Sequence, residues 1–187
     1  MKKILIGGLL GGLAIFIGSF ITHMVLPTGE MGVEKLPNED VILTTLKESI
    51  PQSGFYFFPG MDMNRDVSPE EQKAWEEKYT AGPIGILIYH PNGRAPMSAG
   101  YLLVELGSDL VAGLIGAMIL SLVTGAYFKR VLIVALFGLL AWLPLSISYW
   151  NWYGYPGIYI LAEGFDQVFS WGLGGLTMAA FIKGRIS

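Results

Sequence analysis

The sequence predicts an α-helical polytopic membrane protein. Four transmembrane helices are expected, with a small extracytoplasmic α/β cap (helix, strand, helix, strand) between the first two. Three observations carry this. First, only 14% of the 187 residues are charged and 52% are hydrophobic, whereas a soluble domain carries about 25% charge. The mean hydropathy is +0.51. Second, polar chemistry recurs at a fixed distance from each basic cluster. Lys2 and Lys3 lead to His23; Lys129 and Arg130 lead back to Asp109 and Glu105 and forward to Tyr149–Tyr153; Lys183 leads back to Asp166 and Glu163. Each walk is about 20 residues, which at about 1.5 Å rise crosses a hydrocarbon core of about 30 Å. Third, the charges segregate. The termini and the 126–130 loop carry Lys2, Lys3, Lys129, Arg130, Lys183 and Arg185 without an acid, whereas residues 24–98 carry eleven acids against six bases.

Span one is expected over residues 4–21, within a first segment of 1–26. Lys2 and Lys3 followed by a glycine-rich apolar run also resemble a signal peptide. No small-residue cleavage site follows, and the apolar stretch continues through Met24, Val25 and Leu26. An uncleaved anchor is therefore expected, with its N-terminus inside.

The cap is expected over 27–98. Ile42, Leu46 and Ile50 are spaced four apart and share a helical face that Pro51 ends. Gly54 and Pro59 bound a short aromatic strand, Phe55–Phe58. Ser68, Pro69 and Glu71 form a helix start with an N-cap, an N1 proline and a capping glutamate. Trp75 and Tyr79 lie one turn apart on that helix, and Gly82-Pro83 stops it. A second apolar strand follows over 84–89. Parallel and antiparallel pairing are both open. Two strands in some 75 residues make a small core, so the cap is expected to lean on the spans or on a partner.

The remaining segment, 99–187, is expected to hold spans over about 101–127, 131–149 and 158–182. Pro144 is expected to kink the third span. Basic loops on one side place both termini in the cytoplasm, and we read the chain as a bacterial-type plasma (inner) membrane protein.

Periodicity then gathers the candidate site. Glu105 and Asp109 share a face of span two with Ala112, Gly113 and Gly116. Glu163, Asp166, Gln167, Ser170, Gly174 and Thr177 form a stripe on span four, and Gly8, Gly12, Ser19 and His23 align in span one. Small residues let helix backbones approach. Gly8, Gly12, Gly113, Gly116 and Gly174 are thus expected at helix contacts, internal or to another subunit. The acids and His23 would then turn toward one another. His23, Glu105, Asp109, Glu163, Asp166 and Gln167 are the candidate outer polar cluster. Their chemistry suits a proton or cation, with a hard or borderline divalent ion as a candidate and no cofactor otherwise expected. The plainer account places these acids at interface depth, where charge costs little.

Tyr149, Trp150, Trp152, Tyr153 and Tyr155 form an aromatic loop. It reads as an interfacial belt or as a platform for a lipid, quinone or partner. Asp62, Asn64 and Asp66 begin like a calcium loop, but Val67 and Lys73 stand where glycine and glutamate are required. His90 reads as a local hydrogen-bonding residue. With two histidines and no cysteine, a multi-histidine or thiolate centre is not expected. No nucleophile elbow, phosphate loop, zinc-protease helix or dinucleotide fingerprint is present, and the acidic face argues against nucleic acid.

The expected role is a non-catalytic accessory or binding subunit. Its aromatic loop, cap and acidic rim would form one outward surface. Its partners would be the lipid bilayer and another membrane subunit or a second copy. A small-solute or cation transporter and a membrane enzyme acting on a lipid or envelope substrate are the alternatives.

Overall fold

The computed structural model describes residues 1–62 and 64–183. Arg185, counted above among the terminal bases, lies outside the described residues. The chain is mostly helical: α1 (Lys2–Phe20), α2 (Glu39–Ser49), β1 (Gly54–Phe58), α3 (Pro69–Ala81), β2 (Gly85–Tyr89), α4 (Ala99–Leu120), α5 (Tyr127–Tyr153) and α6 (Gly157–Phe181). It forms two compact units, residues 1–33 with 97–187, and residues 34–96.

Three helices of the first unit are long and apolar enough to cross a membrane: α1 with its continuation to Val25, α4 and α5. The fourth, α6, is equally long but interrupts its apolar run with Glu163, Asp166 and Gln167. These helices do not pack in chain order. Helix α1 lies between α4 and α6, and α6 lies between α1 and α5, while α4 and α5 scarcely meet. The spatial order is therefore α4–α1–α6–α5.

Small residues decide this order. Two overlapping G-x-x-x-G pairs in α1 serve two different neighbours. A Cβ on Gly8 would lie 2.9 Å from Leu114 of α4, and one on Gly12 would lie 2.5 Å from the Asp109 carbonyl. A Cβ on Gly11 would lie 2.5 Å from Met178 of α6. Gly113 sits on Gly8 and Gly12, Gly174 sits on Ile15, and Gly116 approaches Trp171 and Met178. Gly138, which the sequence does not single out, brings α5 against the Gln167 carbonyl. The core is Ile15, Ala117, Leu120, Val134, Met178, Ala179 and Ile182. Large apolar side chains point outward instead: Leu13 and Ile17 of α1, Val111 and Met118 of α4, and Leu132 and Leu140 of α5 are exposed. Small residues inside and large apolar residues outside is the arrangement of helices solvated by lipid.

Several boundaries differ from expectation. The second long helix ends at Leu120, where a turn and Gly125 at φ +131° break the chain. Tyr127 therefore opens α5 instead of closing α4. Lys129 and Arg130 lie in the first turn of α5, not in a loop. Arg130 is buried, and its Nη2 donates to the Ala179 carbonyl at 3.0 Å. Helix α5 runs through Pro144 and takes in Tyr149–Tyr153, so most of the expected aromatic loop is helical. It stops at Gly154, whose φ of +72° suits a left-handed C-cap.

In the second unit, α3 has the full capping box: Glu71 N–H donates to Ser68 Oγ and the Ser68 N–H to Glu71. Ile42, Leu46 and Ile50 are half-buried positions of the α2 segment, together with Glu39 at its start, and Trp75 and Tyr79 are those of α3. The strands pair antiparallel, Gly54 opposite Tyr89 and Phe58 opposite Gly85. Helix α3 packs on them through Phe57 and Tyr79, with ring centroids 6.1 Å apart, while Trp75 Nε1 donates to the Pro59 carbonyl. No described residue of this unit is fully buried. Residues 27–33, read with the cap from the sequence, pack on the helical unit instead. Gly29 lies against the His23 backbone and Gly32, at φ +78°, against Tyr159.

Candidate functional site

The α1–α6 contact is an antiparallel ladder. Gly7 meets Ile182, Gly11 meets Met178, Ile15 meets Gly174, and Gly18 meets Ser170. Each step takes about one turn up α1 and one turn down α6. The next rung brings Thr22 onto Asp166. The Thr22 hydroxyl is fully buried and donates to Asp166 Oδ1. Ser170 Oγ donates to the same oxygen at 3.2 Å, and Gln167 Nε2 donates to Oδ2 at 3.3 Å. Asp166 is only 4% exposed. A buried carboxylate needs such partners, because each missing one costs on the order of 1–3 kcal/mol.

Beyond Phe20 the α-helix widens into a π turn, Ile21–Val25, closed by Leu26 N–H donating to the Ile21 carbonyl at 2.9 Å. This turn presents His23. Thr28 Oγ1 donates to the Thr22 carbonyl, which pins the following loop over it. His23 Nδ1 lies 3.1 Å from the Ser19 carbonyl. A carbonyl only accepts, so this contact places a proton on Nδ1 and turns Nε2 outward. Nε2 is 3.9 Å from Glu163 Oε1, and Nδ1 is 3.7 Å from Asp166 Oδ1. The imidazole thus stands between two carboxylates.

These groups line a cavity of about 380 Å³. His23 and Ser19 of the α1 segment, Glu105 of α4, and Glu163, Asp166 and Gln167 of α6 supply its polar wall. Phe16, Phe20, Met24, Met97 and Leu102 supply its apolar wall, and among the described residues no lysine or arginine lines it. Among the sequence-selected residues, the structure therefore brings together His23, Glu105, Glu163, Asp166 and Gln167. Asp109 lies one turn deeper on α4 and does not line the cavity. Its backbone supports Gly12, and its Oδ2 is buried without a hydrogen-bond partner among the described residues. Among the described residues no three His, Asp or Glu side chains are arranged to hold a metal ion.

Two residues join the cluster beyond those the sequence points to. Thr22 lies off the stripe of Gly8, Gly12, Ser19 and His23, on the parallel series Gly7, Gly11, Gly18 and Thr22, which carries the signal for it. Ser170 lies on the α6 stripe and bonds Asp166 directly.

The aromatic residues form a chain of rings. Tyr149 stacks on Tyr155 at 5.3 Å and tilts against Tyr153 at 6.1 Å; Tyr155 meets Tyr159 at 5.7 Å. Tyr159, which the sequence reading omits, lies one turn before Glu163. Trp150 and Trp152 do not join the string and are exposed. His90 and the Asp62–Asp66 loop belong to the other unit. The His90 carbonyl accepts from Gly93 N–H in a turn. Asp62 accepts from the Asn64 amide and pairs with Arg65, so its oxygens serve the local fold.

Fold and site together define a helical unit packed through small residues, with a carboxylate-lined cavity at one end and three helices apolar enough for a membrane. No protein-family model, curated protein or solved structure matches this chain.

Proposed function

We propose that this chain is a four-span integral membrane protein of a bacterial-type plasma membrane. Both termini are cytoplasmic, and it serves as a non-catalytic binding or accessory subunit whose outward cavity takes an amphipathic organic cation. The fourth span is α6. Its 25 residues are ample for a bilayer at about 1.5 Å each, and its polar stripe is covered by α1 and α5, so it need not be apolar all round. The extracytoplasmic position of the cap follows from the same orientation, as residues 34–96 are inserted in the chain between the His23 end of the α1 segment and the Glu105 end of α4.

One observation carries the ligand class: Glu105, Glu163, Asp166 and His23 converge on one apolar-walled cavity that no lysine or arginine of the described residues lines. An ammonium group satisfies carboxylates that would otherwise repel one another, and an apolar substituent matches Phe16, Phe20 and Met24. Among the described residues no three His, Asp or Glu side chains are arranged to hold a metal ion, which favours an organic cation over a divalent ion. The transporter reading is weakened by the close-packed floor beneath: Gly12 on Gly113, Gly11 on Met178, and the fully buried Ala117 and Leu120.

The test is thermal unfolding of the full chain in neutral detergent, titrated with 2-phenylethylamine, 2-phenylethanol and Mg²⁺. The amine is expected to raise the midpoint saturably and the neutral alcohol and Mg²⁺ to leave it unchanged. Glu163→Gln is expected to weaken the amine by about tenfold, the scale of a lost charge-assisted contact. Equal responses to amine and alcohol would overturn the proposal.

A further inference from the structure

The opposite end of the helical unit holds a second cavity, of about 430 Å³, formed where the start of α1, the end of α4 and the end of α6 meet. Lys3 and Lys183 line it, with Ser121 and Thr124, against apolar groups including Ile4 and Phe181. Its chemistry is the inverse of the first cavity. Residues 1–29, 110–162 and 167–187 contain no Asp or Glu, and among the described residues no acidic side chain lines this cavity beside Lys3 and Lys183. Neither lysine has an ion pair among the described residues. The Ser121 hydroxyl donates to the Met118 carbonyl at 2.6 Å and keeps its acceptor face. Thr124 Oγ1 makes no hydrogen bond to the described residues. The amides in the first turn of α1 add partial positive charge, while the last carbonyls of α4 and α6 oppose it.

A basic end by itself follows from membrane topology alone. A recess does not. Lys2 and Lys129 satisfy the topology equally well and lie outside the cavity, whereas Lys3 and Lys183 flank a volume with a hydroxyl and an apolar wall. We propose that this cavity binds a phosphate-bearing anion, either the headgroup of an acidic phospholipid or soluble phosphate. Two ammonium groups neutralise the phosphate charge, Thr124 donates a further hydrogen bond, and Ile4 and Phe181 border the glycerol and acyl region of a lipid.

The full chain would be incorporated into phosphatidylcholine vesicles containing one-fifth phosphatidylglycerol and gently extracted, and its retained lipids counted by native mass spectrometry. In parallel, thermal unfolding in neutral detergent would be followed with inorganic phosphate against chloride at equal ionic strength. Retained phosphatidylglycerol identifies a lipid site, and a saturable phosphate shift without lipid retention identifies a soluble ligand. In either arm, Lys3→Gln with Lys183→Gln is expected to weaken binding about fivefold per lysine. Lys2→Gln with Lys129→Gln, which removes equal charge from the same end, is expected to leave it nearly unchanged. Thr124→Ala, which keeps every charge, is expected to cost about threefold. Neither arm responding, or the two double variants behaving alike, would overturn the proposal.

Discussion

The Thr22 hydroxyl donates to the Asp166 carboxylate one rung beyond the contact of Gly18 with Ser170. The bond is long-range in sequence but forced in space. Once glycines bring α1 and α6 together at four successive turns, the fifth pair of facing residues is fixed, and here both members are polar. Thr22→Val removes the hydroxyl at constant shape and leaves Asp166 with hydrogen bonds from Ser170 and Gln167 and the neighbouring His23 imidazole. The expected loss is roughly 1–2 kcal/mol, read as a lower unfolding midpoint in detergent, and Thr22→Ser should restore most of it. An unchanged midpoint in Thr22→Val would mean that the bond contributes nothing net.

The glycines of the helical unit divide sharply by what a methyl group would meet. At Gly113 it would lie 2.5 Å from the Gly8 carbonyl and the Gly12 amide. Gly113→Ala therefore has to push α1 off α4 and is expected to destabilise by about 1–3 kcal/mol. At Gly107 and Gly172 nothing lies within 4 Å. Alanine there is expected to be neutral or to stabilise by up to about 1 kcal/mol through helix propensity. Comparable midpoints for all three variants would contradict this packing.

Gly154 ends α5 at φ +72°, a left-handed conformation that costs an L side chain about 1–2 kcal/mol. Gly154→Ala is expected to lose about 1 kcal/mol, whereas Gly154→Asn should lose less, because asparagine visits that region more readily. Circular dichroism melts of the two variants distinguish them. Equal losses would point to a steric cause instead.

In the second unit, Arg65 grips Glu71 with two hydrogen bonds of 3.0 and 2.7 Å. Together with the Ser68 amide it holds the Glu71 carboxyl down to about 2, from an ordinary value of 4.5. Because the folded value is the lower one, the stabilisation is complete above pH 4.5 and is lost as the pH falls toward 2. Hydrogen-exchange protection at the start of α3, corrected for intrinsic rates, should decline across that window. Glu71→Gln should lack the decline. Parallel pH profiles in the two proteins would rule out this carboxylate as its source.

Much of this architecture can be read from particular residues. Ser68, Pro69 and Glu71 specify a helix start because the cap is made by neighbours within one turn. Ile42, Leu46 and Ile50 specify a buried face because helical spacing alone sets it. Helical spacing also aligned Glu163, Asp166, Ser170 and Gly174. The end of α4 was harder. Residues 121–127 still carry Leu122, Val123 and Ala126, and the turn after Leu120, followed by Gly125 at positive φ, is a backbone feature that composition does not record. The run Tyr149–Tyr153 looks like a loop by aromatic content, yet its backbone continues α5 until Gly154.

By itself the sequence determined which stretches are apolar and helical, which end of each carries base or acid, and which faces hold small residues, because these follow from local spacing and composition. Only the tertiary structure decided which glycine pair serves which neighbour. It set the order α4–α1–α6–α5, left Asp109 outside the cavity, and made Thr22 instead of Ser19 the residue against Asp166. The reason is rotational. A helix rich in glycine offers several close-packing faces of similar quality, and a turn of about 100° per residue exchanges one for another. The choice among them is made by the partner helices, which lie about a hundred residues or more away in the chain.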